Sequence, residues 1–145
     1  MSKVVHISEA ASIAIHSMAI IASSPEKLNA KQLARFTGAS LNHLSKVMQM
    51  LVKGNYLQSN RGPAGGFILN RPADEVSLLE IYELIEGSID CSICGINDDK
   101  CPFEKCVFGD HAFTFSEEFR EYLYTTRIAD LTTKKHIYAT KDHSD

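Results

Sequence analysis

Residues 29–54 read NAKQLARFTGASLNHLSKVMQMLVKG and predict two helices separated by a tight turn. Asn29 can cap the first of these helices, and Gln32, three residues further on, completes a capping box. We therefore expect a helix from Ala30 to Phe36 that stops at Thr37-Gly38, where the glycine favours a turn.

A longer amphipathic helix is expected after that turn. Ser40 can cap it, and it ends at Gly54, a residue suited to the left-handed position that follows a helix. Apolar residues recur at helical spacing at Leu41, Leu44, Val47, Met48, Leu51 and Val52. This order is typical of a helix-turn-helix, although any pair of antiparallel helices has the same outline. The exposed face favours DNA binding, because it is rich in hydrogen-bond donors and has no acid: Asn42, His43, Ser45, Lys46, Gln49 and Lys53.

The next segment predicts a β-hairpin. One strand begins at Tyr56-Leu57 and continues to Arg61, residues 62–66 form a turn, and residues 67–69 form the return strand. A hairpin that follows a helix-turn-helix is the wing of a winged helix. Arg61 at the wing tip could enter a minor groove, where narrow A·T-rich segments attract arginine, or could be a solvated surface charge.

The charge distribution supports a nucleic-acid partner although the net charge is −3. Residues 26–71 hold seven Lys or Arg against one Glu, whereas residues 72–145 hold seven Lys or Arg against sixteen Asp or Glu. A basic block followed by an acidic block is typical of a local phosphate-binding surface, with the acidic part facing elsewhere.

Several other classes of protein are not expected. The first ten residues lack the basic start and apolar core of a signal peptide, and the most apolar run, residues 10–22, is too short and too polar to cross a bilayer. We therefore expect a cytosolic protein without a membrane partner, and its length fits one domain or one domain with an extended element. An enzyme is not expected, because the chain has no recognisable nucleophile–base pair, and the glycine-rich turn at 62–66 lacks the Lys-Ser/Thr of a phosphate loop.

Three further helices are predicted. Ser8 can cap one that runs to about Ser23, and Ser77 with Glu80 forms a capping box for a helix from Leu78 to about Glu86. Thr114 can start a third, from Phe115 to about Arg127. One face of this last helix carries a bulky stripe, which needs burial against a second copy of the chain or against the first helix: Phe115, Phe119, Tyr122, Leu123 and Thr126.

All four cysteines fall within residues 87–111, GSIDCSICGINDDKCPFEKCVFGDH. Two, six and four residues separate Cys91, Cys94, Cys101 and Cys106 in turn. Thiolates spaced this closely can converge on a soft metal centre. The spacing alone leaves open unrelated thiols, a disulfide pair, a structural zinc site and an iron–sulfur cluster.

Taken together, these segments resemble the bacterial IscR/NsrR/CymR-type regulators, the Rrf-two (Rrf2) family. The resemblance is carried by residues 61–67, Leu69, residues 71–73, 78–81 and 85–87, Cys94, Cys101, Cys106 and residues 129–131. It implies a mainly α fold with a small β-hairpin wing, in which a winged helix-turn-helix domain is followed by a long C-terminal dimerisation helix. The implied segments are 1–87 for DNA binding, 88–111 for a cysteine-rich cluster loop, 112–131 for dimerisation and 132–145 for a flexible tail.

The resemblance also implies site residues. Cys94, Cys101 and Cys106 match the family's three cysteine ligands of a [2Fe–2S] or [4Fe–4S] cluster. For the fourth ligand we favour Cys91, which is extra relative to the family pattern, over His111 or over His16 of a partner chain; Ser12 would be a poor ligand.

For DNA, the resemblance places Arg61 in the wing and a group of polar residues at the start of the recognition helix: Ser40, Asn42, His43, Ser45 and Lys46. It implies a homodimer on a double-stranded, pseudo-palindromic operator. We expect a repressor that senses iron–sulfur status, redox state or nitric oxide. The alternative is a zinc-binding or clusterless winged-helix regulator that responds to thiol oxidation or to a protein partner.

Overall fold

The computed structural model of the protein describes residues 6–91, 96 and 98–131. Within them the order is α1 (Glu9–Ser23), α2 (Ala30–Thr37), α3 (Leu41–Lys53), β1 (Leu57–Asn60), β2 (Gly66–Leu69), α4 (Leu78–Glu86) and α5 (His111–Thr125), with 3-10 turns at Asp98–Lys100 and Ile128–Asp130. The predicted fold class, mainly α with a hairpin wing, is confirmed. Cys94 and the predicted tail at 132–145 lie outside the described residues.

Side-chain caps begin the first four helices where the sequence predicts them. Ser8 caps α1 and Ser40 caps α3, while Asn29 with Gln32 and Ser77 with Glu80 form the two predicted capping boxes. A cap satisfies backbone N–H groups that have no partner within the helix, and each is worth about 1 kcal/mol. These starts are therefore fixed locally.

Helices α1 to α4 pack around one core. α1 contacts α2, α3, α4 and β2, so it runs through the centre of the domain. The largest fully buried side chains come from the four helices, β1 and the segment before α2: Met18, Leu28, Leu33, Leu44, Met48, Leu51, Leu57 and Ile81.

The wing is attached to the segment between α1 and α2. β1 and β2 are antiparallel, with Leu57 opposite Leu69, and the Phe67 N–H donates to the Leu28 carbonyl at 2.8 Å. A Cβ atom on Gly66 would lie 2.7 Å from that same carbonyl oxygen. Glycine is needed at position 66 because the two backbones approach so closely.

The end of α3 differs from the prediction. Gly54 has φ −78°, and the left-handed residue is Asn55, with φ 64°. Gly54 is small for a packing reason instead: a Cβ atom there would lie 3.1 Å from a methyl group of Leu84 on α4.

The C-terminal helix also differs from the prediction. α5 begins at His111 rather than after Thr114, and its N-cap residue, Asp110, makes no side-chain cap hydrogen bond. The helix ends at Thr125, and the Ile128 N–H then donates to the Val76 carbonyl at 2.9 Å. The chain after α5 is therefore held against the start of α4.

The stripe on α5 is only partly covered. Leu123 is buried, and Phe119 meets Tyr82 edge to face with ring centroids 6.1 Å apart. Phe115 and Tyr122, which belong to the same stripe, are 62% and 53% exposed. No helix within the described ranges is long and apolar enough to cross a membrane.

Candidate nucleic-acid interface and cysteine loop

The first two turns of α3 and its N-cap hold the DNA-binding residues predicted for this helix. The Ser40 hydroxyl accepts a hydrogen bond from the His43 N–H at 3.2 Å, which orients this end of the helix. Asn42 and Lys46 are exposed and Ser45 is half-buried, while the opposite face carries the buried Leu44. Helix N-termini attract phosphate, and side chains in the first turn can reach base edges.

His43 has a neighbour that the sequence did not predict. Its Nδ1 atom lies 3.6 Å from Oε1 of Glu9, the first residue of α1. An acid in the first turn of a helix is explained by the helix dipole alone, so local spacing gave no reason to connect Glu9 with α3.

Arg61 follows directly after β1 and is exposed at the wing tip. The turn after it is closed by a hydrogen bond from the Gly65 N–H to the Gly62 carbonyl at 2.9 Å. A Cβ atom on Gly65 would lie 2.4 Å from the Asn60 carbonyl oxygen, so this turn needs glycine. The tip is thus narrow and presents one cation.

Arg71, another cation of the basic block, has a structural role. It donates to Glu80 Oε1 at 2.9 Å and lies 5.4 Å from the centroid of the Tyr56 ring. The hydrogen bond to Glu80 raises the pKa of Arg71. Burial opposes ionisation of Glu80, but the Ser77 N–H and Arg71 together hold the pKa of Glu80 below its ordinary value. Arg71 therefore joins the wing to α4.

The cysteine loop is attached to α5 through Cys91. The Cys91 thiol donates to Oε1 of Glu117 at 3.1 Å, and this hydrogen bond raises the pKa of Cys91. Cys101 is half-buried and Cys106 is exposed. A thiol that donates to a carboxylate is held in its protonated form, whereas a metal ligand must be a thiolate.

The alternative fourth ligands lie on two different helices. His111 is the first residue of α5 and is exposed. His16 is exposed on α1, and its Nδ1 atom lies 2.7 Å from the Ser12 carbonyl oxygen. Among the described residues, which exclude Cys94, no three His, Cys, Asp or Glu side chains are close enough to hold one metal ion. Thiols and imidazoles are the right chemistry for a cluster, but the described donors are not assembled around one point.

The chain matches known regulators over most of its length. The Rrf2 family profile, described as "Iron-dependent Transcriptional regulator", matches residues 7–134. The regulator IscR of Sodalis glossinidius is 26% identical over 120 residues, which are 79% of this chain and 69% of that protein. IscR of Erwinia tasmaniensis is 25% identical over 108 residues, 74% of this chain and 66% of that protein. The chain thus spans about two thirds of these relatives.

Two solved structures show the same fold. The global cysteine regulator CymR of B. subtilis superposes with a TM-score of 0.71 at 21% identity, covering 87% of this chain and 95% of that one. T. potens IscR gives a TM-score of 0.67 at 22% identity, with 87% and 85% covered. The relatives are transcriptional regulators, which confirms the prediction that the protein is not an enzyme. Because the family profile matches 7–134 of its 145 residues, the chain belongs to the Rrf2 family of transcriptional regulators.

Proposed function

We propose that the protein is a homodimeric, cytoplasmic repressor that binds a pseudo-palindromic DNA operator through α3 and the wing. The observation that carries this proposal is the exposed start of α3, where Asn42 in the first turn and Lys46 in the second lie near a capped helix N-terminus. In a helix-turn-helix dimer the two recognition helices enter successive major grooves. Lys46 contacts phosphate, Ser40, Asn42, His43 and Ser45 face base edges or phosphates, and Arg61 enters the adjacent minor groove.

The uncovered face of α5 supports a second copy of the chain as partner. Four aromatic side chains of this helix are more than half exposed: Phe113, Phe115, Tyr122 and Tyr124. An apolar cavity of about 760 Å³ lies between α4 and the start of α5, with Tyr82 and Phe119 in its wall. Exposed apolar surface of this kind marks an interaction site, and two-fold dimers are the commonest assembly.

We further propose that the cysteine loop holds an iron–sulfur cluster. Cys94, Cys101 and Cys106 supply three thiolates, and Cys91 supplies the fourth, with His111 or a partner chain's His16 as alternatives. A bound cluster supplies a centre that reacts with oxidants and nitric oxide. The family description and the IscR relatives support this assignment, as does the chemistry of four thiols in sixteen residues.

The contact between Cys91 and Glu117 suggests how the loop can influence the dimer. Glu117 lies on α5, so the position of Cys91 is coupled to the helix that we assign to dimerisation. Ligation requires the Cys91 thiol to lose its proton and leave the Glu117 carboxylate. The loop then loses its hydrogen bond to α5 and is held by the other cysteines through the bound centre instead. This change can alter the separation of the two recognition helices.

A zinc-binding or clusterless regulator is the second candidate. The clusterless form is favoured by the arrangement of the described thiols, since Cys91 donates to Glu117 on α5 and does not form a ligand group with Cys101 and Cys106. A zinc site would need the same thiols to converge. Such a protein would respond through thiol oxidation or a protein partner.

One set of measurements separates these candidates. The protein is purified without oxygen and assayed for iron, zinc, acid-labile sulfide, visible absorption and molecular mass in solution. Equal amounts of iron and sulfide in a dimer support the cluster. The number of iron atoms per chain, about two or about four, distinguishes [2Fe–2S] from [4Fe–4S]. Colourless protein with one zinc per chain contradicts it and supports the second candidate. A monomeric protein contradicts the dimer.

A further inference from the structure

The first turn of α1 is held in place from the side of α4. The Ser8 hydroxyl donates to Oε1 of Glu86, the last residue of α4, and the same hydroxyl oxygen accepts the Ala11 N–H at 3.0 Å. Ser8 is the N-cap of α1, so both contacts fix the direction in which that helix starts. The next residue, Glu9, therefore projects from an anchored position.

Glu9 faces the recognition helix. Its Oε1 atom lies 3.6 Å from Nδ1 of His43, and the two side chains are 71% and 35% exposed. His43 stands three residues before Lys46, so both side chains lie on the exposed side of α3. The contact is thus at the edge of the proposed DNA interface rather than in the core.

A carboxylate at this place is unusual for the chain. Residues 1–71 contain eight Lys or Arg but only two acids, Glu9 and Glu26. A negative charge beside a phosphate-binding surface weakens general attraction to DNA. The dipole of α1 favours an acid at this place, and the contact with His43 offers Glu9 a second role.

That role follows from the two nitrogens of an imidazole. An acceptor oxygen facing Nδ1 favours the tautomer of the neutral ring with its proton on that nitrogen, and this leaves Nε2 as a hydrogen-bond acceptor on the opposite edge. In the major groove the groups that donate to such an acceptor are the amino groups of adenine and cytosine. A ring without the carboxylate can turn and can carry its proton on either nitrogen.

We propose that Glu9 is a positioning residue of the DNA interface, which orients His43 so that Nε2 accepts a hydrogen bond from the amino group of an adenine or a cytosine. This inference rests on the DNA-binding function proposed above. Glu9 itself does not contact DNA. It acts only through His43, so its effect appears in sequence preference rather than in general affinity.

The test compares specific with general binding. A preferred duplex is first recovered by affinity selection from random sequences with the wild-type protein, and Kd is then measured for that duplex and for a random duplex at one salt concentration. Glu9→Ala is expected to lower the ratio of the two affinities by up to about tenfold, since His43 then no longer holds its acceptor towards the base. Affinity for the random duplex stays the same or rises, because a negative charge is removed.

Three variants provide the controls. Glu9→Gln keeps an oxygen that can accept the Nδ1 proton and should retain the ratio within about twofold of wild type. Glu26→Ala removes the other acid of this region, whose backbone bonds to Ser24 rather than to α3, and should leave the ratio unchanged. In a His43→Ala background, Glu9→Ala should have no further effect on the ratio.

Two kinds of result overturn the inference. Equal ratios for Glu9→Ala and Glu26→Ala show that Glu9 has no specific role, and an equal loss in Glu9→Gln and Glu9→Ala shows that charge rather than orientation matters. Failure of the underlying function looks different: the wild-type protein then recovers no preferred duplex at all. Circular dichroism of each variant shows whether it is folded.

Discussion

The winged-helix part of the chain and the part after Gly87 are stabilised in different ways. Between Glu9 and Gly87 each helix has a side-chain cap, and all elements contribute to one core. Among the described residues after Gly87, the buried apolar side chains are Leu123, near the end of α5, and Ile128, in the 3-10 turn that follows it. Residues 101–110 are almost entirely exposed.

This difference suggests that the winged-helix part binds DNA and that the cysteine loop responds to a chemical signal. Burial of apolar side chains offsets part of the conformational entropy that is lost when residues are ordered. The winged-helix part has a buried core, whereas residues 99–110 include no buried side chain. We therefore expect this described part of the cysteine loop to gain more of its stability from an added ligand or a second chain. A segment whose stability depends on a bound ligand is suited to respond to a chemical signal.

The largest effect is expected from Cys101→Ala, which tests the loop alone. Removing one proposed ligand should abolish cluster loading and leave a folded dimer, because the winged-helix core does not involve Cys101. The measurements are iron and sulfide content, the visible spectrum and thermal unfolding. Ser88→Ala, at an exposed position in the same segment, is the control and should load normally. Normal loading of Cys101→Ala would contradict the ligand assignment.

The next largest effect is expected from Leu44→Ala, which tests the winged-helix part. Leu44 is 0% exposed, and its truncation leaves a cavity that should lower the free energy of unfolding by about 2–5 kcal/mol. Leu41→Ala, on the same helix but 44% exposed, should cost well under half as much. Urea unfolding followed by circular dichroism measures both. Similar costs for the two variants would mean that α3 packs differently.

Much of the winged-helix part could be predicted from sequence because its signals are local. Ser8, Asn29, Ser40 and Ser77 each cap a helix within three residues along the chain, so short patterns located those starts. The start of α5 was missed because Asp110 makes no side-chain cap hydrogen bond, and Thr114 offered a more familiar pattern.

Contacts between distant residues could not be predicted in the same way. Glu9 and His43 are thirty-four positions apart and Cys91 and Glu117 twenty-six, and no periodic pattern joins either pair. The close approach of Gly66 to Leu28 belongs to the same class: the glycine is visible in the sequence, but the carbonyl that requires it is not. The family resemblance implied DNA-binding residues and cysteine ligands, but it did not predict the contact of Glu9 with His43 or that of Cys91 with Glu117.

The third effect concerns the DNA-binding surface. Lys46→Ala should weaken binding to every sequence and reduce the slope of log K against log salt by about 0.9 for each phosphate that the protein no longer neutralises. Kd measured at four salt concentrations gives this slope. Lys100→Ala, which lies in the cysteine loop, is the matched control and should leave the slope unchanged. An unchanged slope in Lys46→Ala would show that this residue does not bind phosphate.

A smaller effect is expected where the wing joins α4. Glu80→Gln keeps the capping geometry but removes the charge that Arg71 contacts, and should cost about 0.5–1 kcal/mol near neutral pH because the pair is partly exposed. The folded-state pKa of Glu80 is lowered, so its contribution is present above the unfolded value of 4.5 and is lost as the pH falls through the folded value. Urea unfolding should show a smaller difference from wild type at pH 3 than at pH 7. Glu83→Gln, on the same helix, controls for the loss of a charge, and a difference as large at pH 3 as at pH 7 would contradict the ionic origin.

The smallest effect is expected from Glu117→Gln, which acts where the two parts of the molecule meet. The carboxylate accepts the Cys91 S–H and raises the pKa of that thiol, so the neutral amide should bring the pKa down towards its ordinary value. More thiolate is then present at pH 8, and alkylation of Cys91 by iodoacetamide should be roughly two- to fivefold faster. Mass spectrometry of peptides containing Cys91 follows the reaction in metal-free protein.

Glu118→Gln is the matched control for this prediction, since it removes the same charge from the next position of α5 while Glu117 keeps its hydrogen bond with the thiol. Equal rates in the two variants would show that Cys91 does not contact α5 in solution, and the proposed coupling between the cysteine loop and α5 would lose its structural basis. A faster rate in Glu117→Gln alone would instead support the contact of Cys91 with α5 in metal-free protein. Binding of a metal centre by Cys91 would then have to break this contact, which is the step that the proposed coupling requires.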